Sequence, residues 1–329
     1  MNVAMLGAGA WGTALAINLS DRHRVTLWGR DPAQLAAMRA ERANRRYLPG
    51  IVFPEALGLS ADLATCAETS DLTVVAVPTA ALRGVLRAIA DCAAPVVWLC
   101  KGFESDSALL PHQVAQQELR PDRACGALSG PSFAQEVARG LPAALTFAAR
   151  DAQFARATAL RLHSQRLRIY STDDLVGVEF SGAAKNVIAI AAGICDGLDL
   201  GLSARAALIT RGLAELTRLG LELGGRAETF GGLAGAGDLI LTCTGELSRN
   251  HRLGRMLAQG STPEAALASL GHVAEGAFAA PELARIAERH GVEMPITMAV
   301  CRVLRRELSP REAVVTLLSR DPKAEFQAK

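Results

Sequence analysis

The sequence predicts an α/β protein in two parts: a parallel, doubly wound sheet over residues 1–180, then an all-α domain over residues 181–329. Three observations carry this reading. Short β-branched runs alternate with helical patterns through the first part. In the second, strand signals nearly vanish and helical patterns follow one another. At the change, within residues 180–190, an apolar helix carries Lys185, whose face at helical spacing holds Ala189, Ala192 and Asp196. A chain of 329 residues is long enough for two domains with sizeable cores.

The first strand, Asn2-Val3-Ala4-Met5-Leu6, runs into Gly7-Ala8-Gly9-Ala10-Trp11-Gly12 and a helical pattern over residues 13–19. Val25-Thr26-Leu27-Trp28 supplies the next strand. A lone GxGxxG is common. Here the strand before, the helix after and the second strand on schedule complete the Rossmann-like dinucleotide fingerprint. Gly7 allows the tight turn, Gly9 lets backbone approach a pyrophosphate, and Gly12 brings helix against strand. The N–H groups of the helix N-terminus then face the phosphates. The second strand ends at Gly29-Arg30-Asp31. Arg30 can pair with a 2′-phosphate, which favours NADPH. Asp31 can hold ribose hydroxyls and so admits NADH, or it can cap the helix that starts at Pro32.

Further strands are expected at residues 71–77, 95–99 and 124–128, and weaker ones at 144–148 and 166–170. Separated by helices, they imply right-handed crossovers and a parallel sheet. Ligands of such sheets bind beyond the carboxyl ends of the strands. Lys101 and the loop Ser129-Gly130-Pro131-Ser132-Phe133 fall there, although an exposed lysine and a plain turn would look the same.

In the second part, residues 202–221 carry leucines at helical spacing, and residues 230–239 read as a glycine-rich loop with one buried-looking acid, Asp238. Ser248-Arg249-Asn250 opens a helix, with Ser248 as its N-cap. Arginine opposes the positive helix N-terminus, so Arg249 makes best sense facing an anion, the alternative being an exposed side chain. Thr262-Pro263 and Ser309-Pro310-Arg311-Glu312 mark two more helix starts, and the polar residues after Ser319 are expected to fray.

Composition excludes several classes of function. A net charge of +2 offers no general case for nucleic acid or an anionic membrane. Seven scattered cysteines without CxxC spacing argue against a disulfide framework or zinc site and suit a reducing cytoplasm. The apolar start lacks a basic n-region and carries Gly7, Gly9 and Gly12, so it is not read as a signal peptide. The longest apolar run, residues 187–195, is too short to span a bilayer.

Taken in order, these stretches resemble the bacterial-type NAD(P)-dependent glycerol-3-phosphate dehydrogenase family, over residues 2–319. The resemblance rests on residues 7–16, Tyr47-Leu48-Pro49, Cys100-Lys101-Gly102, residues 129–134 and Ala184-Lys185-Asn186-Val187. It extends to Gly235-Ala236-Gly237-Asp238-Leu239, Ser248-Arg249-Asn250 and Val273-Ala274-Glu275-Gly276. Ala10 stands where relatives often have serine, a contact that backbone can also make. The resemblance implies reversible reduction of dihydroxyacetone phosphate to sn-glycerol 3-phosphate for glycerophospholipid synthesis, by a homodimer. It implies Lys185 as the proton-transfer residue, and substrate contacts from Lys101, Gly130, Ser132, Lys185, Asp238, Ser248, Arg249 and Asn250. The implied cofactor contacts are Ala10, Trp11, Arg30, Lys101, Ala134, Arg249, Val273 and Glu275, beside Gly7, Gly9 and Gly12 of the fingerprint.

The residues themselves agree with that chemistry. Hydride delivered to a ketone carbon leaves a developing alkoxide, which needs a proton and nearby positive charge. A partly buried Lys185 can have its pKa lowered towards neutrality and serve as acid or base, or it can be a lysine snorkelling from a helix end. Asp238 would orient it or hold a substrate hydroxyl. Asp196 lies roughly 16 Å along the helix and is too far to do so. Two other readings are a related helical-domain hydroxy-acid dehydrogenase, which could use Arg249 and Lys101 for a carboxylate, and a non-catalytic NAD(P)-binding sensor, which would need neither Lys185 nor Asp238.

Overall fold

A computed structural model describes residues 1–271 and 273–321. Of the polar tail expected to fray, residues 322–329 lie outside the described residues. The strands are β1 (Asn2–Leu6), β2 (Arg24–Trp28), β3 (Gly58–Ser60), β4 (Leu72–Val75), β5 (Val96–Trp98), β6 (Cys125–Ser129), β7 (Ala143–Ala148) and β8 (Leu167–Thr172). They form one sheet in the order β3-β2-β1-β4-β5-β6-β7-β8. Helices α1 (Ala10–Leu19), α2 (Pro32–Glu41), α3 (Leu63–Glu68), α4 (Thr79–Ala88), α5 (Pro111–Glu118), α6 (Ala134–Ala138) and α7 (Ala152–Leu162) connect them. Successive β1 residues feed opposite cores, Val3 and Met5 one face, Ala4 and Leu6 the other, as the period of two requires. The strand order reverses direction at β1, between β2 and β4, which opens the binding crevice there.

The sheet departs from the expected parallel arrangement at one pair. β6 and β7 run antiparallel, while the other neighbours are parallel. Between them the only helix is α6, of five residues. It rises about 8 Å, half the roughly 16 Å length of β6, so the chain re-enters the sheet from the end it left.

The second half is helical: α8 (Leu175–Gly197), α9 (Leu202–Glu222), α10 (Ala227–Gly231), a π-helical turn at Leu233–Gly237, α11 (Asp238–Thr244), α12 (Arg249–Ala258), α13 (Pro263–Leu270), α14 (Glu275–Arg289), α15 (Pro295–Leu304) and α16 (Pro310–Leu318). Helix α8 is the axis. Asp174 caps it, accepting from the Gly177 N–H at 2.9 Å, so the helix begins earlier than residue 181, and both 180 and 181 lie inside it. It is buried on almost every side because α9, α11, α12 and α14 surround it. Although α8 is long and apolar enough to cross a bilayer, 94% of its apolar window is buried within the protein. Glycines let α12 touch it backbone to backbone: a Cβ on Gly193 would stand 1.9 Å from the His251 carbonyl oxygen.

The glycine-rich loop expected at residues 230–239 is instead α10, the π-helical turn and the start of α11. Its glycines serve packing: Gly235 sits against the backbone of Phe230, where a Cβ would meet the carbonyl oxygen at 2.2 Å. The capping residues stand where the sequence puts them. Ser248, Thr262 and Ser309 cap α12, α13 and α16 through their side chains, Ser309 within a capping box with Glu312.

Candidate active site

The nucleotide end is built around the turn from β1 to α1. Gly7 takes φ 132°, and a Cβ there would lie 2.4 Å from the Ala76 carbonyl oxygen, so no side chain fits. Gly12 packs onto the Gly7 carbonyl. Nothing lies within 4 Å of where a Cβ on Gly9 would stand, and α1 begins with no side-chain cap, so the N–H groups of its first turn, Ala10 and Trp11 among them, have no capping side chain. An open cradle with unspent donors at a helix N-terminus fits a pyrophosphate. Ala134 starts α6, which packs on α1. At the end of β2, Arg30 is exposed, whereas Asp31 spends Oδ1 as the N-cap of α2, accepting from the N–H groups of Ala33 and Gln34 at 3.0 and 3.2 Å.

A second group lies where β5 and β6 meet α8 and α11. Lys185 is 6% exposed and placed mid-helix, so the snorkelling alternative does not hold. Its Nζ donates to Asp238 Oδ1 and, at 2.7 Å, to Thr242 Oγ1. Thr242 in turn donates its hydroxyl proton to the Asp238 carbonyl at 2.6 Å, which turns an oxygen lone pair towards the lysine. The other carboxylate oxygen, Asp238 Oδ2, accepts from Lys101 Nζ at 2.7 Å, and Lys101 also donates to the Gly130 carbonyl at 3.0 Å. Ser132 Oγ donates to the same carbonyl at 3.1 Å. Two ammonium groups thus share one buried carboxylate, which leaves an excess positive charge. Each ammonium has two of its three protons committed among the described residues. Gly182 makes the approach possible, since a Cβ there would lie 3.0 Å from Ser129 Oγ and 3.4 Å from the Lys101 stem.

Asn186, beside Lys185, fixes the frame. Its Nδ2 donates to the Lys101 carbonyl at 3.3 Å, and its Oδ1 accepts from Asn250 Nδ2 at 2.9 Å. Asn250 Oδ1 accepts from the Gly276 N–H at 2.9 Å, so α8, α12 and α14 are joined side chain to backbone. Ser248 Oγ is occupied by the His251 N–H at 3.2 Å. Arg249 projects from the first turn of α12 and is exposed. Val273 is 44% exposed just before α14, and Glu275 stands half-buried in its first turn.

The electrostatics follow from burial. Desolvation brings the Lys185 ammonium down to about 8; Asp238 opposes the fall and Lys101 adds to it. Burial raises the Glu275 carboxyl above its ordinary range, and Arg249, Lys101 and Lys185 pull against it. A lysine titrating near 8, with one proton that no acceptor among the described residues takes, can give that proton up and take it back. Asp196 does not take part in this centre: it binds Arg205 at 2.7 Å and His251 at 2.8 Å.

Sequence reasoning missed Thr242 and gave Asn186 no role of its own. Thr242 follows Asp238 by four residues, the same-face spacing of a helix, but that signal is readable only once residues 238–244 are known to be helical.

Comparison with known proteins completes the picture. Residues 2–155 match the family described as NAD-dependent glycerol-3-phosphate dehydrogenase N-terminus, and residues 174–315 the corresponding C-terminus. The chain is 55% identical to a glycerol-3-phosphate dehydrogenase (NAD(P)+) of Nitrosospira multiformis, with 99% of this chain and 100% of that one covered. It is also 55% identical to its namesake in Aromatoleum aromaticum, with the same coverage. The crystal structure of glycerol-3-phosphate dehydrogenase from Coxiella burnetii superposes with a TM-score of 0.92 at 42% identity, covering 97% of this chain and 99% of that one.

Proposed function

The chain belongs to the NAD-dependent glycerol-3-phosphate dehydrogenase family, and from that premise we propose how its residues divide the work. It is an NAD(P)-dependent oxidoreductase that interconverts dihydroxyacetone phosphate and sn-glycerol 3-phosphate. The nicotinamide, when bound, supplies or accepts the hydride. Gly7, Gly9, Ala10, Trp11 and Gly12 hold the pyrophosphate, with Ala134, Val273 and Glu275 as further contacts. Arg30, free of the capping task that occupies Asp31, favours NADPH over NADH.

Lys185 Nζ gives its uncommitted proton to the carbonyl oxygen of the substrate as the carbon is reduced, and takes it back in oxidation. Lys101 brings a second positive charge to the same oxygen or to a neighbouring hydroxyl. Asp238 and Thr242 hold Lys185 in place. Gly130 and Ser132 line the pocket, and Arg249, with the start of α12 at Ser248 and Asn250, receives the phosphate. The observation that carries this reading is the shared carboxylate: Lys101 and Lys185 meet on Asp238 with one proton each left over. We further propose a nucleotide-binding domain and a helical catalytic domain that meet at α8, a homodimer as the working form, the cytoplasm as its place, and glycerophospholipid synthesis as its use.

The test is NADPH oxidation followed by absorbance with dihydroxyacetone phosphate and with a panel of small keto acids. Turnover of the phosphorylated ketone at a kcat/KM at least about a hundredfold above any keto acid is expected. Preference for a keto acid, or cofactor binding without turnover on any carbonyl, would overturn the reading.

A further inference from the structure

We infer that Glu179 is a positioning residue for the Lys101–Asp238–Lys185 centre and acts through Trp98; this rests on the function proposed above. Glu179 lies on α8 six residues before Lys185, and its side chain is fully buried. Its Oε1 accepts from the Trp98 indole Nε1 at 2.6 Å and from the His112 backbone N–H at 3.0 Å, while Oε2 pairs with His112 Nδ1. One carboxylate therefore ties α8 to the last residue of β5 and to the first turn of α5, where a helix N–H would otherwise lack a partner.

Three residues beyond Trp98, in the segment that leaves β5, comes Lys101, and a second tie joins α8 to the chain there: Asn186 Nδ2 to the Lys101 carbonyl. One tie would leave a stiff helix free to pivot against the strand; two set its register. That register decides whether Asp238 can reach both ammonium groups. A displacement of well under an ångström lengthens one of its two bonds, and reaction rates are sensitive to shifts of that size. Apolar packing between α8 and β5 would stabilise as well as a buried acid does, so an acid at this place points to geometry. Lys185 is faced by Asp238 and Cys243 from α11, by Lys101 beyond β5 and by Glu275 from α14. Its titration therefore reports their spacing.

The test replaces the indole donor, Trp98→Phe, or the acceptor, Glu179→Met, with Glu179→Gln as the conservative variant that keeps an oxygen for Trp98. Two quantities are read: the titration of the Lys185 ammonium by NMR in the ligand-free protein, and kcat and KM for dihydroxyacetone phosphate. Trp98→Phe and Glu179→Met should shift the Lys185 midpoint by at least about half a unit, down where the Asp238 contact lengthens and up where Lys101 draws away, and lower kcat about tenfold or more. KM should change less than about twofold, and Glu179→Gln should recover most of kcat. Lys185 titration curves that coincide with the wild type overturn the inference, whatever happens to thermal stability. A shifted curve in a protein whose wild type does not turn over dihydroxyacetone phosphate supports the positioning and overturns the substrate assignment instead.

Discussion

Replacing Lys185 with methionine removes the ammonium while filling much the same buried volume. In the wild type, burial and the neighbouring Lys101 hold Lys185 down to about 8 against the pull of Asp238. At pH 7 about nine-tenths of it carries the proton, so it is almost fully charged as an acid yet gives the proton up readily. Lys185→Met deletes that donor. It also leaves Asp238 with a single cation, Lys101 at 2.7 Å, which keeps the carboxylate paired and the pocket intact. The loss should therefore appear in the chemical step, at the size of general acid catalysis: at least about a hundredfold in kcat, or roughly 2.7 kcal/mol in the barrier. The nucleotide cradle is formed by other elements, so NADPH binding should change little. Turnover is measured by NADPH absorbance at saturating dihydroxyacetone phosphate, and binding by the fluorescence of the reduced cofactor. A variant that keeps most of its turnover removes Lys185 from proton transfer; one that loses cofactor binding in equal measure shows a general collapse of the site.

Three further outcomes are expected. Arg249→Ala should raise KM for dihydroxyacetone phosphate at least about tenfold and relieve inhibition by inorganic phosphate; equal phosphate inhibition in wild type and variant would contradict the anion site. Arg30→Ala should lower kcat/KM for NADPH about tenfold and leave NADH nearly unchanged, as compared in parallel assays with both cofactors; a parallel loss with both would refute a role in 2′-phosphate recognition. Glu215 of α9 is driven by burial up to about 7, although it accepts from the N–H groups of Ile296 and Thr297. Because its folded pKa lies above the unfolded value, its stabilising share is complete below about pH 4.5 and is lost as pH rises through 7. Glu215→Gln should flatten the expected fall in Tm between pH 5 and 8, as measured by calorimetry; an unchanged slope would show that Glu215 does not carry this pH dependence.

Much of the nucleotide half is legible because its signals are local. The glycine turn, its strand and its helix depend on neighbours within about 30 residues, and Asp31, Ser248, Thr262 and Ser309 announce helix starts by capping chemistry alone. What escapes depends on distant partners. β3, at Gly58–Ser60, has no β-branched run and exists because it pairs with β2. The antiparallel turn from β6 to β7 follows from the brevity of α6, which its residues do not advertise. Residues 233–237 look like a loop because glycine is read as flexibility, whereas here it buys contact with Phe230. That misreading hides the helical phase linking Asp238 to Thr242, and with it the second acceptor on Lys185. Asp238 could be offered as a partner of Lys185, with a substrate hydroxyl as the other option; that it meets Lys185 across 53 residues of sequence and shares its carboxylate with Lys101 needs the packing around α8.

The proton-transfer role of Lys185 is tested most directly by the pH dependence of kcat/KM in both directions. With Lys185 near 8, reduction of dihydroxyacetone phosphate needs the charged form and should fall tenfold per unit well above pH 8, while oxidation of glycerol 3-phosphate needs the neutral form and should rise through the same midpoint. Profiles that are flat between pH 7 and 9 in both directions, or that bend the same way, would contradict it.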